Sequence, residues 1–165
     1  MKIDLHTHST RSDGTMSPTE LVQHAIINGI TVLGLTDHDT VAGWDEATAS
    51  VRGDLQLVLG AEISCLTESH QSIHMLGLLF DRDYQPLQEV LEASRDDRIP
   101  RMKKMIELMC ADGIKISFEE VLKFQPDGAT LGRPHLADAL VAKGIVKNRD
   151  QAFAEFLAND SKYYV

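Results

Sequence analysis

The chain has 165 residues, 43% of them hydrophobic, and its 25 acidic side chains outweigh 16 basic ones to give a formal charge of −9. This length suits one domain, or one domain with an appendage, with a core that needs no disulfides. The acidic balance excludes the broad electrostatic contact expected of a stable DNA-binding protein or of binding to an anionic membrane. Two cysteines make no disulfide framework, and neither a signal peptide nor a run of about 18 apolar residues is visible, so we expect a cytoplasmic protein.

The first 94 residues alternate between strand and helix patterns. Four mostly apolar segments predict strands, at residues 2–8, 31–36, 55–64 and 72–80. Ser17, Pro18 and Glu20 form a capping-box pattern that starts a helix, and Asn28-Gly29 is a pattern that ends one. A weaker helical pattern covers 41–51. This alternation favours an α/β fold with parallel strands.

From Pro86 onward the sequence shows only helical patterns. They cover residues 86–97, 101–113, 117–124, 133–144 and 149–160. Pro100 is expected to break or kink the helix before Arg101. Ser117 and Glu120 repeat the capping-box pattern. We therefore divide the chain into an α/β part, residues 1–94, and a helical part, residues 95–165.

Side chains that can bind metal ions concentrate at or near the ends of the four predicted strands. They are His6, His8, Asp13, His38, Glu62 and His74. In parallel α/β folds, active sites are built at such ends. Each residue alone has an ordinary explanation: a histidine pair on a strand is most often incidental, and Asp37 or Asp39 beside the third histidine could be turn formers. Ordinary packing in a protein core does not explain so many ionisable side chains in largely apolar strands.

The donor types of this set indicate the chemistry. Imidazoles and carboxylates without thiolates suit divalent Mn, Zn, Fe or Mg. The set exceeds what one tetrahedral site uses, so it predicts two or more ions, with Glu62 as the better candidate for a bridging carboxylate. Closely spaced ions lower the pKa of a water between them and neutralise the oxygens of a phosphoryl group. The leading reaction is therefore phosphoester hydrolysis.

Four motifs follow one another along the chain: DLHTHSTRSDG, LTDHDT, GAEIS and IHMLGL. In order and spacing they resemble the metal motifs of the PHP (polymerase and histidinol phosphatase) family. RDDRIPRM and LGRPHLADAL resemble its stand-alone branch of nucleoside 3',5'-bisphosphate and AMP phosphatases, some of which trim short RNAs from the 5' end. The resemblance implies a distorted (β/α)7 barrel, with residues 1–94 as its N-terminal part and 95–165 as an all-helical insertion, or cap.

The resemblance also implies three metal sites built from the same side chains. Glu62 would join the two histidines of the first strand at one ion and His74 at another. Asp13 and His38 would hold a further ion next to the nucleophile and take the catalytic role. Family members carry a later HP motif and an Asp-x-His pair that complete these sites. Residues 1–165 contain no HP dipeptide, so we expect the chain to be a fragment of a longer protein.

Residues outside the ligand set receive supporting roles from the resemblance. Arg98, Arg133 and His135 would bind substrate phosphates, for which arginine forks are well shaped. For Arg95 and Arg101, which recur with Arg98 at three-residue steps, the alternative is pairing with Glu92, Asp96 or Asp97 on a solvated face. Asp4 matches a family position behind the two histidines, and its strand parity fits a carboxylate that orients an imidazole.

Together these inferences predict a metal-dependent phosphoesterase, a hydrolase. Its substrates would be phosphate esters of small nucleotides, 3',5'-bisphosphates or AMP-like, with short RNA trimmed from the 5' end as a further candidate. No membrane partner is expected. Two alternatives stay open: a histidinol-phosphate phosphatase, and a catalytically silent metal-binding PHP module.

Overall fold

The computed structural model describes residues 1–69 and 71–165 and has a mixed α/β fold. Its elements are β1 (Ile3–Thr7), α1 (Pro18–Ile27), β2 (Val32–Leu35), α2 (Trp44–Ser50), β3 (Gln56–Leu66), β4 (Ser72–Leu78), α3 (Gln85–Ala111), α4 (Phe118–Leu122), α5 (Arg133–Ala142), α6 (Arg149–Ala152) and a π-helical turn (Phe153–Leu157). His70, which the sequence places in a loop, lies outside the described residues. None of the helices within the described residues is long and apolar enough to cross a membrane.

The strands form one sheet in the order β1-β2-β3-β4. β1, β2 and β3 are parallel, as the sequence predicts. The expectation of parallel strands is wrong for β4, which runs antiparallel to β3. The two are joined by residues 67–71 only, whereas a parallel connection needs a crossover of about a dozen residues. His74 lies within β4, as the sequence predicts, whereas Glu62 lies inside β3 rather than at its end.

Helix α1 begins with the predicted capping box. The Ser17 hydroxyl accepts a hydrogen bond from the Glu20 amide at 3.2 Å, and the Glu20 carboxylate accepts one from the Ser17 amide at 2.8 Å. Pro18 occupies the first turn, where its missing N–H costs nothing. The helix ends at Ile27 and is capped by Asn28, which is followed by Gly29 at φ +71°. This well-defined helix separates β1 from β2 and so sets the parallel pairing of the two strands.

The predicted break at Pro100 is wrong, because α3 is one helix that contains this proline. A proline inside a helix removes one backbone hydrogen bond and crowds the preceding turn. The turns after it are held by buried side chains of Met102, Met105 and Met109. Packing of a helix face contributes more to helix stability in a folded protein than local propensity does.

The described residues divide into two compact units. The first, the sheet unit, comprises Met1–Arg95 and Gly128–Thr130; the second, the helical unit, comprises Asp96–Asp127 and Leu131–Val165. The sheet unit is centred on a cluster of buried apolar residues: Val22, Ala25, Leu33, Leu35, Trp44, Ala47 and Leu55. The helical unit has a larger apolar cluster that includes Met109, Val121, Leu136, Leu140 and Leu157. Within the described residues of the helical unit there is no strand.

Candidate metal centre

The sheet unit brings the six predicted ligands together. They form three groups, and within each group one potential ligand atom per residue lies within 4.8 Å of the others. The groups are His6–His8–Glu62, His8–Asp13–His38 and His38–Glu62–His74. Because neighbouring groups share a member, the cluster is continuous rather than a set of separate pairs.

Glu62 lies at the centre of the cluster. Its Oε2 is 2.6 Å from Nε2 of His6 and 2.9 Å from Nε2 of His8, and its Oε1 is 2.6 Å from Nδ1 of His74. Burial raises the pKa of this carboxyl, but the hydrogen bond with His6, the charge of His38 and the hydrogen bond with His74 together outweigh burial. The pKa of Glu62 therefore lies below its usual 4.5, and the side chain is a charged acceptor at neutral pH.

Asp13 reaches the cluster because the loop after β1 folds back on itself. The Gly14 amide donates to the Ser9 carbonyl at 3.0 Å. A Cβ on Gly14 would lie 2.2 Å from the carbonyl oxygen of His8, so only glycine permits this approach. The fold-back places Asp13 Oδ1 3.5 Å from His8 Nδ1, and Asp13 Oδ2 3.5 Å from His38 Nε2.

His38 is placed by an extension of the pairing between β2 and β3. It forms an isolated parallel bridge with Glu62. The Glu62 amide donates to the Asp37 carbonyl at 3.2 Å, and the Asp39 amide donates to the Glu62 carbonyl at 3.0 Å. Backbone pairing thus holds His38 and Glu62 side by side, and Nδ1 of His38 lies 3.8 Å from Oε2 of Glu62.

Sequence reasoning missed the two acids that flank His38. Asp37 and Asp39 are 2% and 0% exposed, and their carboxylates accept hydrogen bonds from serines of the loop after β1 and of β3. Asp39 accepts hydrogen bonds from the amide and hydroxyl of Ser64 at 2.7 and 2.8 Å. The available signal was their place directly after an almost wholly apolar strand, where a charged side chain is buried unless it points away from the sheet.

Asp4, predicted to orient an imidazole, has a described hydrogen bond to the backbone instead. Its Oδ1 accepts from the amide of His6 at 3.2 Å. This contact steadies the backbone at the first ligand. The role of Asp4 toward an imidazole ring stays a prediction.

Two of the predicted substrate residues make contacts to the backbone of the helical unit. Nη1 of Arg98 donates to the Leu131 carbonyl at 3.2 Å. His135 is 3% exposed, and its Nδ1 accepts a hydrogen bond from the Gly132 amide at 2.9 Å. This bond caps the start of α5, since helix N-termini leave amides without helical partners. Their substrate role stays a prediction.

Arg133, the third predicted substrate residue, holds the last turns of the helical unit. Its Nη1 donates to the Leu157 carbonyl at 2.6 Å and to Oδ1 of Asn159 at 2.7 Å. The guanidinium carbon lies 5.7 Å from the ring centroid of Phe153 and 4.9 Å from that of Tyr164. These contacts give Arg133 a structural task, and any role in binding substrate would come in addition to it.

The motifs and the cluster geometry agree with a comparison against known families: residues 4–158 match the PHP domain. The chain belongs to the PHP family. The PHP relatives include a "5'-3' exoribonuclease" of Haemophilus influenzae, 38% identical over 99% of this chain. A "3',5'-nucleoside bisphosphate phosphatase" of Chromobacterium violaceum is 33% identical, also over 99% of this chain.

A solved PHP-like structure is similar over the same range. A Bifidobacterium adolescentis protein assigned as a metal-dependent phosphoesterase superposes with a TM-score of 0.90, at 38% identity over 99% of this chain. The present chain spans 59% and 57% of the length of the two relatives and 58% of the solved chain. The similarity therefore covers the described units and leaves part of each relative unmatched.

Proposed function

We propose that this PHP chain is the metal-binding part of a metal-dependent phosphoesterase, a hydrolase of phosphate esters of small nucleotides. The proposed substrates are 3',5'-bisphosphates or AMP-like compounds, and short RNA at its 5' end is a further one. The observation that carries the proposal is the continuous cluster of three donor groups around Glu62. The relatives named as a bisphosphate phosphatase and an exoribonuclease support both substrate types.

The residues present fit divalent metal ions. The donors are imidazole nitrogens and carboxylate oxygens, which suit Mn, Zn, Fe or Mg, and the central carboxyl of Glu62 is ionised. Glu62 presents one oxygen to the histidines of β1 and the other to His74, so it could serve two ions at once. We propose two or three ions, one for each donor group.

The middle group, which contains Asp13 and His38, takes the catalytic role in this proposal. It shares one histidine with each of the other two groups, so it adjoins both. Ions bound in the cluster would lower the pKa of a water and neutralise the charge that grows on the phosphoryl oxygens. Asp13 and His38 would orient the groups on that side, because their side chains converge from two different loops.

The finer architecture is part of the same proposal. The sheet unit would be the N-terminal part of a distorted (β/α)7 barrel, and the helical unit would be an insertion that contributes substrate contacts. Arg98, Arg133 and His135 would make these contacts. The relatives are longer than this chain, so they have room for the further strands that a complete barrel needs. This length supports the barrel assignment.

The direct test is a parallel assay on the full chain loaded with Mn. We expect bound metal by elemental analysis and faster hydrolysis of a 3',5'-bisphosphate nucleotide than of histidinol phosphate, with a 5'-phosphorylated short RNA as a third substrate. His8→Ala is the matched loss-of-ligand control and should lose metal and turnover together. Preference for histidinol phosphate would support the first alternative, and metal binding without any turnover would support the silent module.

The substrate role of Arg133 has its own test. Arg133→Ala should keep the metal content but weaken binding of the bisphosphate by about 1.5–3 kcal/mol, the range for a hydrogen bond to a charged group. Arg149→Ala is the matched control, because Arg149 pairs with Asp138 in the same unit and has no proposed substrate role. Equal rises in KM for the two variants would show that loss of structure, not of a phosphate contact, explains the effect.

A further inference from the structure

One buried carboxylate ties together the loops that carry three of the proposed ligands. Oδ1 of Asp37 accepts hydrogen bonds from the Ser9 amide and the Ser12 hydroxyl, both at 2.7 Å. Its Oδ2 accepts from the Ser9 hydroxyl, also at 2.7 Å. Ser9 and Ser12 are 0% and 1% exposed. In sequence Ser9 follows His8, and Ser12 precedes Asp13.

The Ser12 hydroxyl connects this carboxylate to a ligand ring. A hydroxyl has one proton to donate, and the short contact with Asp37 uses it. The lone pairs of the same oxygen then face Nδ1 of His8 at 3.4 Å. The other polar atom described near this nitrogen is Oδ1 of Asp13 at 3.5 Å, also an acceptor. Nδ1 of His8 therefore meets acceptors only, and it has to carry the ring proton whenever Nε2 binds an ion.

The opposite nitrogen, Nε2, lies 2.9 Å from Oε2 of Glu62 and so also faces an acceptor in the metal-free chain. An ion shared with Glu62 would use the lone pair of Nε2. A metal ion needs this lone pair, and the hydrogen bond at the other nitrogen decides which nitrogen offers it. If Asp13 turns to an ion, as proposed, Ser12 is the acceptor that remains for Nδ1–H.

We propose that Ser12 and Asp37 are positioning residues, a hydrogen-bonded relay from Asp37 through Ser12 that fixes the tautomer and orientation of His8. The relay rests on the proposed function, since its purpose is to prepare His8 as a metal ligand. Neither residue touches an ion or substrate in this scheme. By also binding Ser9, Asp37 holds the loop between His8 and Asp13 against the end of β2, next to His38.

Two measurements on the full chain test the relay. The first is the pair of ring 15N shifts of His8 in the chain loaded with Zn, a diamagnetic ion, which report the nitrogen that carries the proton. The second is Mn affinity from a chelator competition. Ser12→Ala should shift the His8 ring toward a mixture of tautomers and weaken Mn binding by about 10–100-fold, as is typical for the outer partner of a ligating histidine. Ser12→Thr, which keeps the hydroxyl, should restore both.

Ser9→Ala is the matched control, because it removes a hydroxyl from the same carboxylate in the same loop without facing His8. It should keep the His8 ring shifts and lose less Mn affinity than Ser12→Ala. Circular dichroism verifies folding, and Ser12→Cys, of similar volume but a weak acceptor, replaces Ser12→Ala if the latter does not fold. Equal effects of Ser9→Ala and Ser12→Ala on the His8 ring shifts and on Mn affinity would overturn the relay.

Failure of the relay and failure of the proposed function give different results. If the wild-type chain binds Mn and hydrolyses the bisphosphate while Ser12→Ala matches it in shifts and affinity, the relay is wrong and the function stands. If the wild-type chain binds no divalent ion, the function is wrong. The relay, whose purpose is to prepare a metal ligand, is then wrong as well.

Discussion

The two units bury different kinds of atoms. In the sheet unit the buried residues include a set of polar and charged side chains: Ser9, Ser12, Thr36, Asp37, Asp39, Thr40, Glu62 and Thr130. In the helical unit, His135 is the one buried polar side chain among the described residues, and the rest of the buried cluster is mainly hydrocarbon. The sheet unit thus combines a small apolar core with a polar interior, and the helical unit relies on apolar packing.

The two units should therefore tolerate different kinds of substitution. An apolar core accepts changes that conserve volume and loses stability when a cavity is made. At a buried carboxylate a substitution can conserve volume and still lower stability. It does so by removing an acceptor from donor groups that remain buried. The polar interior of the sheet unit also carries the candidate metal centre, so its substitutions should affect metal binding as well as stability.

The largest effect is expected at Glu62, where the polar interior and the metal centre coincide. Glu62→Gln nearly keeps the shape but removes the charge that faces four histidines. We expect the metal content and turnover to fall by more than the roughly 10–100-fold typical of an outer-shell residue. Glu68→Gln, at an exposed glutamate of the same unit, is the control. Elemental analysis showing full metal content in Glu62→Gln would contradict the central position of this carboxylate.

In the helical unit the largest loss of stability should come from a cavity. Met109 is 0% exposed within the apolar cluster, so Met109→Ala should lower the free energy of unfolding by about 2–5 kcal/mol. Met109→Leu, which nearly conserves volume, should cost less than about 1.5 kcal/mol. Urea unfolding of the metal-free chain measures both. Similar losses for the two variants would mean that this core depends on the shape of methionine and not on filled volume.

Asp37→Asn is the corresponding volume-conserving change in the sheet unit. The amide has one acceptor oxygen where the carboxylate has two, so at least one of the three donors from Ser9 and Ser12 loses its partner. We expect a loss of about 1–3 kcal/mol in the free energy of unfolding, measured in the same urea experiment without metal. If Asp37→Asn proved as harmless as Met109→Leu, the contrast between the two interiors would not hold.

The sequence predicts those elements whose signals are local. The capping box of Ser17 and Glu20 is present as predicted, and so is the second one at Ser117 and Glu120. The parallel pairing of β1, β2 and β3 follows from helices long enough to form crossovers between them. The ligand cluster was predictable because its histidines and acids interrupt apolar strands, an expensive arrangement without a function.

The features that the sequence did not predict depend on tertiary contacts. The direction of β4 follows from the short connection after Leu66, whose length is ambiguous when strand ends are uncertain by a few residues. Helix α3 continues through Pro100 because its later turns are packed in a core that the local pattern does not reveal. Aspartate is common in turns, so the sequence gives Asp37 and Asp39 no other role. Only the fold shows that serines from the loop after β1 and from β3 donate hydrogen bonds to their carboxylates.

The smallest expected effect lies on the surface of the helical unit and concerns acid stability. Hydrogen bonds from Lys162 and from the Tyr163 hydroxyl lower the pKa of Asp112, more than its slight desolvation raises it. Since the pKa is lower in the folded than in the unfolded chain, ionised Asp112 favours folding. This contribution is complete above the unfolded pKa of about 3.9 and is lost as the pH falls through the folded value. Asp112→Asn should therefore flatten the acid limb of a stability–pH curve.

The control for this prediction is Asp160→Asn, at another exposed acid of the same unit. Tyr163→Phe should flatten the limb only in part, because it leaves the Lys162 contact in place. Raising the salt concentration should shrink the contribution of the Asp112–Lys162 pair, since exposed charges are screened. An acid limb that Asp112→Asn leaves unchanged would show that the lysine and tyrosine contacts do not favour the folded chain.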